Sequence, residues 1–87
     1  MPATSAPHQH PLATQLGANV RRVRAAADLT IDIAAAAAGI SAVMWRKIET
    51  AHRWPGPDVL GRIAVALGVA PAELLSVPQK SAKTAGK

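Results

Sequence analysis

The sequence predicts an all-α fold, a bundle of five short helices. Three observations support this prediction. No segment alternates apolar and polar residues with the period of a strand, alanine and arginine are frequent, and apolar residues recur at helical spacing. The chain has 87 residues, enough for one small domain. A domain of this length has little chain to line a catalytic cleft, so we do not expect an enzyme.

Both ends of the chain have the composition of solvated segments. Residues 1–11 contain three prolines and predict a disordered N-terminal arm. Residues 78–87 predict a disordered basic tail, and its three lysines account for part of the formal net charge of +5. The domain between them, residues 12–77, is mildly basic, which modestly favours an anionic partner such as nucleic acid.

The first, fourth and fifth helices are predicted from apolar spacing and from proline. The first spans about residues 12–27, with one apolar side formed by Leu12, Leu16, Val20, Val23 and Ala27. Proline at the first helical position begins the other two, over about 57–67 and 71–76. The inward face of the fourth helix is formed by Leu60, Ile63, Ala64 and Leu67, and Leu74 and Leu75 supply apolar contact in the fifth.

The second and third helices are short and separated by a tight turn. Thr30 is a capping residue for a helix over about 31–38, and Ser41 is one for a helix over about 42–50. Gly39 suits the left-handed backbone at which the second helix would end. A short turn containing glycine between two such helices is typical of a helix-turn-helix.

The resemblance to a known family rests on four segments, LGANVRRVRAAADLT, AAAAAGIS, WRKIE and LGRIAVALGVAPAELL. Together they resemble the lambda-repressor-like, Cro/CI (XRE) type of DNA-binding domain, from Leu16 to Leu75 without a gap. The resemblance implies a five-helix lambda-repressor-like bundle whose second and third helices form the helix-turn-helix.

The same resemblance implies a sequence-specific, double-stranded DNA-binding transcriptional regulator, a repressor that acts by occluding a promoter. We expect it to bind an inverted repeat as a homodimer, with a candidate dimer surface formed by Leu74, Leu75 and Val77. The sequence shows no signal peptide or membrane segment, so a cytoplasmic protein is expected. No cofactor is expected.

The third helix carries the candidate DNA contacts. Its apolar side, centred on Trp45, should be buried, so the opposite side faces outward. There Arg46 can donate two hydrogen bonds to guanine, Lys47 suits phosphate, and Ala42 and Val43 can contact thymine methyl groups. The complete set of predicted DNA-binding residues is Thr30, Ile31, Ser41, Ala42, Val43, Arg46, Lys47, His52 and Arg53.

Another interpretation of these residues stays open. The family usually carries glutamine at the position of Ile31 and polar residues at those of Ala42 and Val43. These apolar replacements suit a docking surface. The alternative is therefore a protein-interaction module of the same fold, antitoxin-like or partner-docking, with weak or no specific DNA binding.

Other residues have predicted structural roles. The resemblance implies an ion pair between Arg24 and Glu49, worth between zero and about 1 kcal/mol on a surface. Partial burial would raise its importance, because losing one member would strand the other. Trp54 suits either a cover for the core or a partner surface. His8 and His10 lack a third ligand, so no metal site is expected.

Overall fold

The helices of this protein begin and end where local sequence signals place them. The computed structural model describes residues 10–77, and this range contains helices but no β-strand. The predicted disordered segments 1–11 and 78–87 lie outside the described residues, except for positions 10 and 11. The described chain forms five helices, α1 (Ala13–Ala26), α2 (Ile31–Ala38), α3 (Ala42–Glu49), α4 (Pro57–Leu67) and α5 (Pro71–Leu75). The predicted all-α fold with α2 and α3 as the helix-turn-helix is confirmed.

Capping explains the bounds of α2 and α3. The Thr30 hydroxyl accepts a hydrogen bond from the Ile33 amide at 3.1 Å, and the Ser41 hydroxyl accepts one from the Met44 amide at 3.0 Å. Gly39 ends α2 with a φ of +74°. Each bond satisfies an amide that has no partner within its own helix, so each fixes where that helix begins.

The core joins the inner faces of all five helices. Trp45 of α3 lies at 0% exposure, which confirms the predicted orientation of this helix. The apolar side of α1 is shorter than predicted, because Leu12 and Ala27 flank the helix and are exposed. The buried cluster comprises Leu16, Val20, Ala34, Ala35, Ala38, Trp45, Ile48, Ile63, Ala64, Leu67 and Leu74.

Helices α1 and α3 approach each other closely at Gly17. A Cβ atom at this position would lie 2.6 Å from the carbonyl oxygens of both Ile48 and Glu49. Because those oxygens belong to the backbone, they cannot rotate away as a flexible side chain would. The absence of a side chain at Gly17 therefore allows α3 its position against α1.

A buried asparagine attaches the end of α5 to α1. The Asn19 side-chain amide donates to the carbonyl oxygens of Leu74 at 2.8 Å and Ser76 at 2.7 Å. Leu74 is fully buried in the core of its own domain. The prediction that Leu74 belongs to a dimer surface is therefore wrong, because its side chain already packs inside the bundle. Leu75 is half-buried and Val77 is exposed, so both side chains can still contact a second copy of the chain.

Candidate nucleic-acid interface

The outward side of α3 presents one apolar and two basic side chains. Val43 is 58% exposed, and Arg46 and Lys47 are exposed beside it. With Thr50 and His52 they line a shallow concavity of about 510 Å³. We refer to these five residues as the α3 face. Its basic side chains make no hydrogen bond or ion pair with another side chain in residues 10–77, so they are free to meet an anionic partner.

Ala42 differs from its predicted exposure, because it is half-buried where the turn joins α3. Ile31 is also half-buried and packs against the core at the start of α2. Thr30 and Ser41 are exposed, and their oxygens accept the capping bonds described above. Each hydroxyl keeps a proton that it can donate, for example to a phosphate oxygen.

The end of α3 orders the segment that follows. The Thr50 hydroxyl donates to the Arg46 carbonyl oxygen at 2.9 Å, and His52 Nδ1 lies 3.0 Å from the same hydroxyl oxygen. Since the hydroxyl proton is used on the carbonyl, the geometry assigns Nδ1 of His52 as the donor. The His52 ring is thereby held at the end of α3, and Arg53 follows it, exposed.

A partly buried ion pair fixes α3 against α1. Arg24 Nε donates to Glu49 Oε2 at 2.6 Å, and Arg24 Nη2 donates to Glu49 Oε1 at 3.2 Å. Their side chains are 16% and 6% exposed, so this is not a freely solvated salt bridge. Arg24 Nη1 also donates to the Leu29 carbonyl oxygen at 2.8 Å, which includes the segment before α2 in the network.

Glu49 has a second partner that sequence reasoning missed. The indole Nε1 of buried Trp45 donates to Glu49 Oε2 at 2.7 Å. The hydrogen bond that Arg24 donates to Glu49 raises the pKa of Arg24 above its ordinary value, while desolvation by burial opposes the rise and the Glu49 charge adds to it. Stability from this charged arginine is therefore fully present below the ordinary pKa of arginine, which includes the neutral range, and it is lost as pH rises through the raised pKa.

Trp54 contacts the beginning of the domain. Its ring stacks on that of His10, with centroids 3.7 Å apart and planes inclined by 7°. His10 Nδ1 also accepts a hydrogen bond from the Leu12 amide at 3.1 Å. The sequence offered no signal for this pair, because the two rings are far apart along the chain. The contact attaches the loop that carries Arg53 to the start of α1.

The described fold, with α2 and α3 joined by a tight turn, is that of the helix-turn-helix class of DNA-binding regulators. A sequence profile described as "Helix-turn-helix domain" matches residues 15–76, and this chain belongs to that family. The match confirms the resemblance to Cro/CI-type domains. No curated protein matches the sequence.

Solved structures of regulators are similar in fold. The hypothetical transcription factor NHTF from Neisseria is 25% identical, with a TM-score of 0.77, and the match covers 92% of each chain. The clp gene regulator ClgR from C. glutamicum is 27% identical, with a TM-score of 0.71, over 76% of this chain and 86% of that chain. The restriction-modification controller protein C.AhdI from Aeromonas hydrophila is 24% identical, with a TM-score of 0.70, over 71% of this chain and 94% of the other. This third likeness concerns the fold alone.

No helix within residues 10–77 combines the length and the apolar character needed to cross a membrane.

Proposed function

We propose that this protein binds specific sequences of double-stranded DNA through the α3 face and represses transcription by occluding a promoter. The observation that carries the proposal is the division of α3 into two sides. Trp45 and Ile48 are buried, whereas Arg46 and Lys47 are exposed with their charges free among the described residues. A helix of this form fits the major groove and can present side chains to base edges.

The basic residues have different roles in this proposal. Arg46 has a planar fork of donors that matches the O6 and N7 acceptors of guanine. Lys47 and Arg53 contact phosphate, where a positive charge is sufficient. Thr30 and Ser41 are exposed and can donate further hydrogen bonds to the DNA backbone, and His52 is exposed at the end of α3. DNA binding, rather than catalysis, is the activity that these residues support.

The size of α3 favours a homodimer on an inverted repeat. The helix has eight residues, and such a helix is about 12 Å long and can contact few base pairs. Two copies related by a two-fold axis would double the sequence read. The exposed Val77 and half-buried Leu75 are the residues that remain from the predicted dimer surface. The description of ClgR as a gene regulator agrees with a regulatory role.

The test uses duplex DNA selected from a random library by the full chain. Arg46→Ala should weaken binding to the selected sequence by about 1–3 kcal/mol per half-site and relax the base preference at one position. Lys47→Ala should weaken binding to all sequences alike and reduce the slope of log affinity against log salt by about one unit. The matched control is Arg62→Ala, which removes an equal charge from α4, where Arg62 pairs with Asp58 at 3.3 Å.

Fluorescence anisotropy at two salt concentrations gives both quantities. If Arg46→Ala binds the selected duplex as tightly as the parent, direct readout by α3 is wrong. If no library duplex binds and no salt dependence is seen, DNA binding itself is wrong.

The second candidate is a protein-interaction module of the same fold. Exposed apolar side chains support it, namely Ile33 of α2 and Val65 of α4, in addition to Val43. Docking through apolar surfaces responds little to salt, whereas DNA binding weakens steeply as salt increases. The salt titration therefore separates the two candidates.

A further inference from the structure

Val43 is exposed in a way that core packing does not explain. It is the second residue of α3 and 58% exposed, while its neighbours Ala42 and Met44 are half-buried. Arg46 and Lys47 follow it by three and four positions, so both lie on the same side one turn later. The N-terminal part of such a helix is the part that meets base edges in the major groove.

The α3 face has few polar groups left to read a base. The Thr50 hydroxyl donates to the Arg46 carbonyl oxygen, and that hydroxyl also accepts from His52 Nδ1. The guanidinium of Arg46 has no such partner within residues 10–77. The concavity therefore presents the planar fork of donors of Arg46 next to the apolar side chain of Val43.

The major groove contains a matching pair of features. Guanine presents two adjacent acceptors, O6 and N7, and thymine presents a 5-methyl group, which is apolar. Cytosine methylated at carbon 5 presents the same methyl group in the same place. Unmethylated cytosine and uracil lack it and would leave Val43 without an apolar partner.

We propose that Val43 and Arg46 together read a base step in which a 5-methylpyrimidine, thymine or 5-methylcytosine, stands next to a guanine. The inference rests on the proposed DNA-binding function and adds the chemistry that the α3 face recognises. Arg46 donates to O6 and N7 of the guanine, and Val43 covers the neighbouring methyl group. Binding at this step therefore depends on the methyl group itself, and where cytosine stands in the step its methylation would strengthen binding.

The experiment uses the full chain and the duplex that it selects from a random library containing the four natural bases. At the thymine next to the recognised guanine, uracil, cytosine or 5-methylcytosine replaces thymine in each half-site. Uracil should lower affinity about fourfold for each methyl group removed, because burying one apolar carbon contributes about 0.8 kcal/mol. The cytosine duplex should bind more weakly than thymine, and 5-methylcytosine should recover about fourfold over cytosine.

Two valine variants complete the design. Val43→Ala should lose most of the difference between the thymine and uracil duplexes, because the shorter alanine side chain covers less of the methyl group. Val65→Ala, on α4 and 80% exposed before the change, should keep the full difference. Alanine is a good helix former, and thermal midpoints of both variants verify that they fold.

Several results would overturn the inference while leaving DNA binding intact. The selected sequence could lack such a step, or the parent could bind the thymine and uracil duplexes with equal affinity. Val43→Ala could keep the full difference between the thymine and uracil duplexes. The duplex with 5-methylcytosine could bind no more tightly than the duplex with cytosine. A failure to bind any duplex would instead overturn the proposed function.

Discussion

The close approach of α1 and α3 at Gly17 predicts that one substitution has opposite effects at two helical glycines. Alanine normally stabilises a helix interior by about 1 kcal/mol relative to glycine. At Gly61 of α4 the added Cβ would meet nothing within 4 Å, so Gly61→Ala should gain about 0.5–1 kcal/mol. At Gly17 the same atom would lie 2.6 Å from two backbone oxygens.

The destabilisation expected for Gly17→Ala follows from that distance. Ordinary contact begins near 3.4 Å, so α3 must move away from α1 by roughly 0.8 Å. Overpacking of this kind costs about 1–3 kcal/mol, which equals or exceeds the gain of about 1 kcal/mol in helix propensity. We expect a net loss of up to about 2 kcal/mol for Gly17→Ala. In a domain of this size each kcal/mol lowers the melting temperature by about 4–8 °C.

The assay is chemical denaturation of both variants followed by circular dichroism, with the parent alongside. Gly61→Ala is the matched control, since it makes the same chemical change in another helix. A Gly17→Ala variant as stable as Gly61→Ala would refute the inference that the absence of a side chain at Gly17 allows α3 its position against α1. The displaced α3 should also bind DNA less tightly, whereas Gly61→Ala should bind as the parent does.

Four further predictions concern stability and are checked by urea denaturation. Ala51 follows α3 with a φ of +66°, so Ala51→Gly should stabilise by up to about 1 kcal/mol, and a lower midpoint would contradict this strain. Asn19→Ala leaves two carbonyl oxygens without their donors and should lose about 1–3 kcal/mol; an unchanged midpoint would show that α5 does not depend on them. Trp45→Ala should lose about 3–5 kcal/mol, and a smaller loss than for Asn19→Ala would contradict its place in the core. Glu49→Ala should lose about 3 kcal/mol by stranding Arg24, whereas a loss below about 1 kcal/mol would indicate an ordinary surface pair.

The helices were predictable because their signals are local. Thr30, Ser41 and Gly39 act within one turn of their own helix, and the observed bounds of α2 match the predicted ones. The orientation of α3 was also predictable, since apolar residues three and four apart must share one side. The prediction that Leu74 lies on a dimer surface was wrong, because apolar spacing alone does not distinguish a core contact from a contact with a second copy.

The functional surface was predictable in its residue types and less so in its geometry. Arg46 and Lys47 followed from the orientation of α3, and their exposure is as expected. The half-buried position of Ala42 did not follow, since it depends on how the turn meets the helix. The polar network at the end of α3, through Thr50 and His52, had no signal beyond two polar side chains in a loop.

The five helices, the helix-turn-helix and the basic character of the α3 face follow from the sequence alone, because capping and periodicity act between near neighbours. Only the packed fold brings distant residues together. It placed Gly17 against the end of α3, Asn19 against the end of α5, and the His10 ring on Trp54. It also left Val43 exposed beside Arg46. Such contacts join residues far apart along the chain, and their geometry is set by the packing of whole helices rather than by any local pattern.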